Sequence, residues 1–214
     1  MRQMAAEQRG DTRERLMAAA IETLREEGIT GATARAIAAR ADANQALIFY
    51  HFGSVTNLLL QAFLRTSDEQ IARYRAAAED VDSLHDLVAI ARRLHDEDME
   101  SGAVTAVTQL MAAAHEPEMN RQILERFDEW IRIVEEALRR ATDGSSLAAA
   151  IPVREAAYAI ASMFLGIEIL TRLDPGRSEA PQLFDMMANS ASLIESLAPM
   201  LAPLLPATAP ADPA

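Results

Sequence analysis

Apolar positions recur three and four residues apart along most of the chain, the period of a helix that buries one face. Leu16, Ala19, Ala20 and Leu24 make the first such run, with Asp11 and Glu14 spaced as a capping box before it and Gly28 as its stop. Thr33 is placed to cap a short second run whose inward residues are Ile37, Ala38 and Ala41. The polarity breaks at Ala41-Asp42-Ala43. Asn44 then opens a third short run, with Leu47, Ile48 and Phe52 available for packing and Gly53 ending it. From Ser54 to about Ala78, Leu58, Leu59, Ala62, Phe63, Ile71 and Tyr74 keep one helical register. At about 1.5 Å per residue that helix reaches roughly 37 Å, enough to link two lobes. Further helices are predicted near 83–95, 101–114, 117–142, 152–172 and 180–201, with Pro117 and Pro152 at first-turn positions and Gly144 and Gly176 in breaks. No stretch alternates as a strand does, so the expected fold class is all-α.

Composition sharpens this picture. Half of the 214 residues are hydrophobic but only 5% are aromatic, which favours helix over sheet. The chain has no cysteine, which excludes disulfides and thiolate metal sites. The N-terminus lacks the apolar core of a signal peptide, and no run is read as a membrane span, so no membrane partner and a cytoplasmic location are expected. All basic residues are arginine, and the net charge of −12 is unevenly spread. Residues 1–53 hold seven arginines against seven acids, whereas 54–214 hold thirteen against twenty-five. An acidic body repels nucleic acid, so any contact with DNA belongs to the neutral N-terminal part.

The two short runs read as a helix–turn–helix, whose second helix enters the major groove with its start near base edges. Here that start is Asn44-Gln45-Ala46. Amides pair with adenine edges, and a small alanine permits close approach or contact with a thymine methyl. Tyr50 and His51 sit one turn on, where a phenol and an imidazole can donate to phosphate oxygens. The helix start at Ser54 offers free N–H groups to another phosphate.

The order Leu16, Ala20, Gly28, Thr33, Ile37-Ala38, Ala41, then Ile48-Phe49-Tyr50-His51-Phe52, Ser54 and Leu58 resembles the DNA-binding domain of the tetracycline-repressor (TetR) family over residues 12–64. The resemblance implies an N-terminal three-helix helix–turn–helix domain followed by a larger helical ligand-binding and dimerisation domain. The boundaries are a flexible arm at 1–10, the DNA-binding domain at 11–53, the ligand-binding and dimerisation domain at 54–203 and a disordered tail at 204–214. It implies that Asn44, Gln45 and Ala46 face bases and that Thr33, Tyr50 and His51 hold phosphates. Arg35 is either a further phosphate contact or a solvated residue, and Phe49 braces the helix or touches a thymine methyl. Two positions depart from the family pattern: Asp42 stands where the turn usually has glycine, and Val55 where a phosphate-touching lysine usually follows Ser54.

In the second part, Phe63, Met111, Phe127, Trp130, Met163 and Phe164 come from different predicted helices and suit a pocket for an apolar or aromatic small molecule. Glu168, one turn after Phe164, either receives a ligand donor or pairs with an arginine across a subunit contact. Two apolar stripes predict a homodimer closed as a four-helix bundle: Ala156, Ala159, Ile160, Met163 and Ile167, then Leu183, Met187, Ile194, Leu197 and Leu201. A two-fold reader needs such an interface to set its recognition helices about 34–36 Å apart on a palindromic double-stranded operator. The expected function is a sequence-specific transcriptional regulator, a repressor relieved by the small molecule. The alternative is a helical interaction module with lost or weak DNA binding, favoured by Val55 and the neutral head. Glycine-rich phosphate loops, nucleophile elbows and paired catalytic carboxylates do not emerge, so neither enzyme activity nor a cofactor is expected. No metal is expected either: His95 with Asp96 and Asp98 lacks a completing ligand one turn on and reads as a solvated acidic face or helix end.

Overall fold

The computed structural model describes residues 2–101, 108–111, 117–174, 176 and 179–201, and among these no strand occurs. The helices are α1 (Arg2–Gly31), α2 (Ala34–Arg40), α3 (Ala46–Phe52), α4 (Val55–Ala78), α5 (Leu84–Ser101), α6 (Pro117–Thr142), α7 (Leu147–Ala150), α8 (Val153–Leu173) and α9 (Glu179–Leu201). α1 begins at Arg2, inside the stretch read from the sequence as an arm; Ala, Glu, Gln, Met and Arg there are all strong helix formers. The tail at 204–214 lies outside the described residues, as does most of the helix expected at 101–114, of which 108–111 are helical. The short α7 had no sequence signal strong enough to predict it.

The chain forms two compact units that interleave along the sequence. One comprises Met1–Gln70 and Ser101–Arg126, the other Ile71–Glu100 and Phe127–Ala214. α4 contributes to both. In the first unit, Leu16, Ala20 and Leu24 of α1, Ile37 and Ala38 of α2, Ile48 and Phe52 of α3, and Leu58, Leu59, Ala62 and Phe63 of α4 are all buried. Arg13 lies over the Phe52 ring at 5.3 Å and donates to Gln61. Arg40 reaches back from α2 to Glu22, Glu26 and Glu27 of α1, so the outer sides of these helices are joined by charge. Gly28 (φ 73°, ψ 179°) kinks α1 without ending it, a conformation for which a Cβ is a steric burden.

In the second unit, Ile71, Tyr74, Ala77 and Ala78 of α4 form one core with Val81, Leu94 of α5, Ile133 and Ala137 of α6 and Phe164 of α8. A second cluster joins Ile167 of α8 to Ala180 and Phe184 of α9. Helix ends are held by long-range partners. Arg140 donates to the Ala78 carbonyl at 2.6 Å near the end of α4, and Glu195 of α9 accepts from the Leu84 and His85 N–H groups at the start of α5. α8 qualifies the expectation that no segment approaches a membrane span. By length and composition it is apolar enough to cross one, and only part of its apolar surface is buried within the chain.

Candidate functional site

The first site grows from three caps and a turn. Thr33 accepts from the Ala36 N–H at 3.2 Å and starts α2. The turn is made where Asp42 takes φ 48°, the left-handed region that aspartate tolerates better than most residues. Asn44 Oδ1 accepts from the Ala46 N–H at 2.9 Å and starts α3. Ser54 Oγ accepts from the Asn57 N–H at 3.0 Å and starts α4, while Asn57 Nδ2 donates to the Phe52 carbonyl at 2.7 Å. Each short helix therefore begins on a side-chain oxygen that the sequence supplies at the right spacing.

Packing then decides which face of α3 is presented. Ile48 and Phe52, one turn apart, are buried. Ala46, Phe49 and Tyr50, also at helical spacing, are exposed, Phe49 by 53% and Tyr50 by 66%. Asn44, Gln45, Thr33, Arg35 and Ser54 are exposed as well, and His51 is half-buried with its ring edge-on to Tyr50 at 4.9 Å. Arg35 makes no ion pair among the described residues. Asn44 differs from Gln45 in one respect that its sequence position did not reveal. Its Oδ1 is already engaged by its own backbone, leaving only Nδ2 to donate, whereas bidentate pairing with adenine requires both atoms. Gln45 has both free for a base. Thr33 and Ser54 spend an acceptor on their caps but keep a hydroxyl hydrogen for donation.

A second site lies in the other unit. It is a cavity of about 60 Å³ walled by Tyr74, Leu87, Leu94, Trp130, Ile133 and Phe164 among others. Of the residues expected to form a pocket, Trp130 and Phe164 line it, and Phe127 touches it only through Trp130, ring to ring at 6.1 Å. The others are placed elsewhere. Phe63 is buried in the first unit, Met111 is exposed in that unit, and Met163 is exposed on α8.

Glu168 is buried in a polar cluster that meets the cavity at Tyr74, whose ring is a wall and whose hydroxyl donates to Asp98. Arg73 donates to Asp98 and, at 2.8 Å, to Glu97. Glu168 shares a hydrogen bond with Asp98, and its Oε1 meets no partner among the described residues. Burial, then the negative charge of Asp98, pushes the Glu168 pKa up to about 9, so the carboxyl holds its proton at neutral pH and donates it to Asp98. Burial pushes the His95 pKa down, which keeps the ring neutral between Phe164 and Phe184, with Nδ1 also unpartnered. The acidic run 96–100 is the expected helix end, with Asp96 and Glu100 exposed, but Asp98 within it is turned inward. α5 continues to Ser101, and Asp98 is fully buried. The missed signal is periodic: Leu87, Ala91, Leu94, His95 and Asp98 continue one inward stripe once the helix is extended past residue 95.

Comparison with known proteins follows this geometry. Residues 16–62 match the model of the tetR family of bacterial regulatory proteins, the segment that carries the three caps and the exposed α3 face. Over these residues the chain is similar to the TetR family. A relative is the HTH-type transcriptional regulator BetI of Stenotrophomonas maltophilia (strain R551-3), 34% identical over 114 residues. That match covers 51% of this chain and 58% of BetI, so the chain spans under two thirds of that relative's length. A TetR-family structure from Streptomyces coelicolor A3 is 25% identical with a TM-score of 0.61, covering 83% of this chain and 96% of that one. The regulator FadR from Bacillus subtilis, solved in complex with stearoyl-CoA, shares the fold at 17% identity and a TM-score of 0.68, covering 82% and 95%.

Proposed function

We propose that this chain is a homodimeric, sequence-specific DNA-binding regulator of the TetR type, a repressor whose hold on a palindromic operator is relieved by a small molecule in the second unit. One observation carries the DNA-binding reading: Gln45 and Ala46 stand exposed at the start of α3 while Ile48 and Phe52 anchor its opposite face in the core. In this reading Gln45 and Ala46 meet base edges, and Asn44 contributes its Nδ2 alone. Thr33, Arg35, Tyr50, His51 and Ser54 hold phosphates, and Phe49 touches the groove wall.

The effector reading rests on the apolar, aromatic-walled cavity and on α4, which runs from the Ser54 cap to Tyr74 and Ala78 in the cavity wall. An organic ligand in the Bacillus subtilis FadR structure supports an organic effector here. A cavity of about 60 Å³ lies far below the roughly 300–1,000 Å³ of ligand pockets, so the effector enters by widening it. The effector shifts DNA occupancy only as far as it prefers the widened form. The dimer is built on the unburied apolar face of α8 and α9: Tyr158, Met163 and Leu170 with Met186, Leu193 and Ile194. That face overlaps the predicted stripes at Met163 and Ile194; Ile167 of those stripes turns inward instead.

The test is selection of bound fragments from random duplex DNA, followed by gel shift. Recovered sites should show two-fold symmetry. Gln45→Ala should change sequence preference at one position per half-site, by about 1–3 kcal/mol of discrimination. Tyr50→Phe should weaken binding evenly, by about tenfold, as loss of a hydrogen bond to a charged group does. If both variants bind as the parent does, α3 is not the reading helix. The second reading, an interaction module without DNA binding, is favoured by Val55 and by the zero net charge of 1–53. A selection that recovers no sequence would establish it.

A further inference from the structure

We infer that the molecule received by the second unit has an apolar body and a protonated amine, and that Glu168 Oε1 is the atom that takes the amine. This rests on the effector reading above and narrows it to a chemical class. Three independent features of the fold meet here. The cavity walls are apolar and include three aromatic side chains, Tyr74, Trp130 and Phe164, faces that attract cations as well as hydrocarbon. Beside them lies a carboxyl that is 4% exposed and has one oxygen unused, a costly arrangement unless a donor arrives. Because the Glu168 proton is directed to Asp98, the free Oε1 can only accept, so the missing group must be a donor. His95 Nδ1, equally buried and unpartnered, offers a second polar atom in the same cluster.

The charge balance selects a cation over a neutral donor. Arg73 is paired with Asp98 and Glu97, and Arg93 with Glu97 at 3.4 Å, so these two cations balance those two carboxylates and leave none for an ionised Glu168. The groups that act on Glu168 are Asp98 from α5 and Arg73 and Tyr74 from α4. An ammonium group beside Oε1 supplies the counter-charge that Glu168 lacks, so on binding the carboxyl gives its proton to solvent and the pair closes as carboxylate and ammonium. Tyr74 is the barrier between the cavity and this cluster. A ligand that displaces its ring both enlarges the cavity and opens the route to Glu168.

Trp130 is the sole tryptophan of the chain and lines the cavity, so its fluorescence reports occupancy. The full chain is titrated with linear alkylammonium ions of about four to ten carbons and with the alcohols of equal length, a range sized to ligand pockets. The expected result is a saturable change that needs about tenfold less ammonium than alcohol, with ammonium affinity rising between pH 6 and 9. Glu168→Gln, of equal size, should bring the two series together and flatten the pH profile. Near-ultraviolet circular dichroism confirms that the variant is folded, and the parent's own pH profile stands without it. Equal affinity for both series, a gap that survives Glu168→Gln, or no response to any probe overturns the inference. Gel shift with the same probes separates this from the wider reading. If alcohols release DNA and ammonium ions do not, the effector function stands and the amine assignment falls.

Discussion

Asp42 is the residue on which the reading head turns. It holds φ 48° where the family pattern has glycine, and its side chain is exposed, so nothing but its backbone is spent there. Left-handed geometry costs an L-residue roughly 1–2 kcal/mol, less for aspartate. Asp42→Gly should therefore raise stability by about 0.5–1 kcal/mol, and Asp42→Val should lower it, both read as the midpoint of urea unfolding. No gain in the glycine variant would mean that the turn is held by something other than its backbone angle. At this scale the head was legible because its logic is local. Thr33, Asn44 and Ser54 each cap a helix within three residues, and Ile48 and Phe52 face inward by simple periodicity. What stayed hidden was whether Asn44 is free to read a base, since that depends on an angle at its own side chain and not on its spacing.

Among the elements, α5 shows why the second site was harder to read. Its polar positions 95 and 98 lie on the inward stripe, yet the partners of Asp98 are Arg73 and Tyr74 on α4 and Glu168 on α8, tens of residues away. A sequence shows that acids cluster; it does not show that a distant arginine will receive one of them. The cluster has a measurable signature. The folded chain binds the Glu168 proton more tightly than the unfolded chain, whose carboxyl titrates near the ordinary 4.5, so stability falls as pH rises from there towards about 9. His95 acts in the opposite sense: the unfolded ring takes up a proton near 6.5 before the folded one does, so stability falls as pH drops below that value. Glu168→Gln should remove the alkaline-side loss, at most about 1.4 kcal/mol per pH unit, and leave the acid-side loss in place. Melting midpoints at pH 5.5, 7 and 8.5 (about one and a half units apart, spanning both limbs) make the comparison. A slope unchanged in the variant would show that Glu168 is not the group that titrates.

For the molecule as a whole, the apolar surface left on α8 and α9 is the feature that a lone chain does not explain. Leu170 is 52% exposed and Leu193 59%, beside other exposed apolar residues of the same helices, Tyr158, Leu173, Met186 and Met200 among them. Leu170→Asp with Leu193→Asp should convert a dimer into a monomer in sedimentation equilibrium while leaving helical content unchanged, because neither side chain belongs to a described core cluster. The monomer should keep weak binding to a half-site and lose tight binding to the full palindrome. A variant that remains dimeric would place the interface elsewhere. The helical class and the neutral head against an acidic body were plain from composition. The face proposed for pairing was not, because Ile167 and Met163 occupy the same apolar stripe and only packing tells which of them turns inward.

One amide carries a consequence for any signal passing along α4. Asn57 Nδ2 grips the last carbonyl of α3 from the first turn of α4. That bond ties the end of the shorter helix to the beginning of the longer one, so a tilt of the shaft is expected to carry the shorter helix with it. Under the proposed function, cutting that grip with Asn57→Ala should keep DNA binding in a gel shift and weaken its response to an effector.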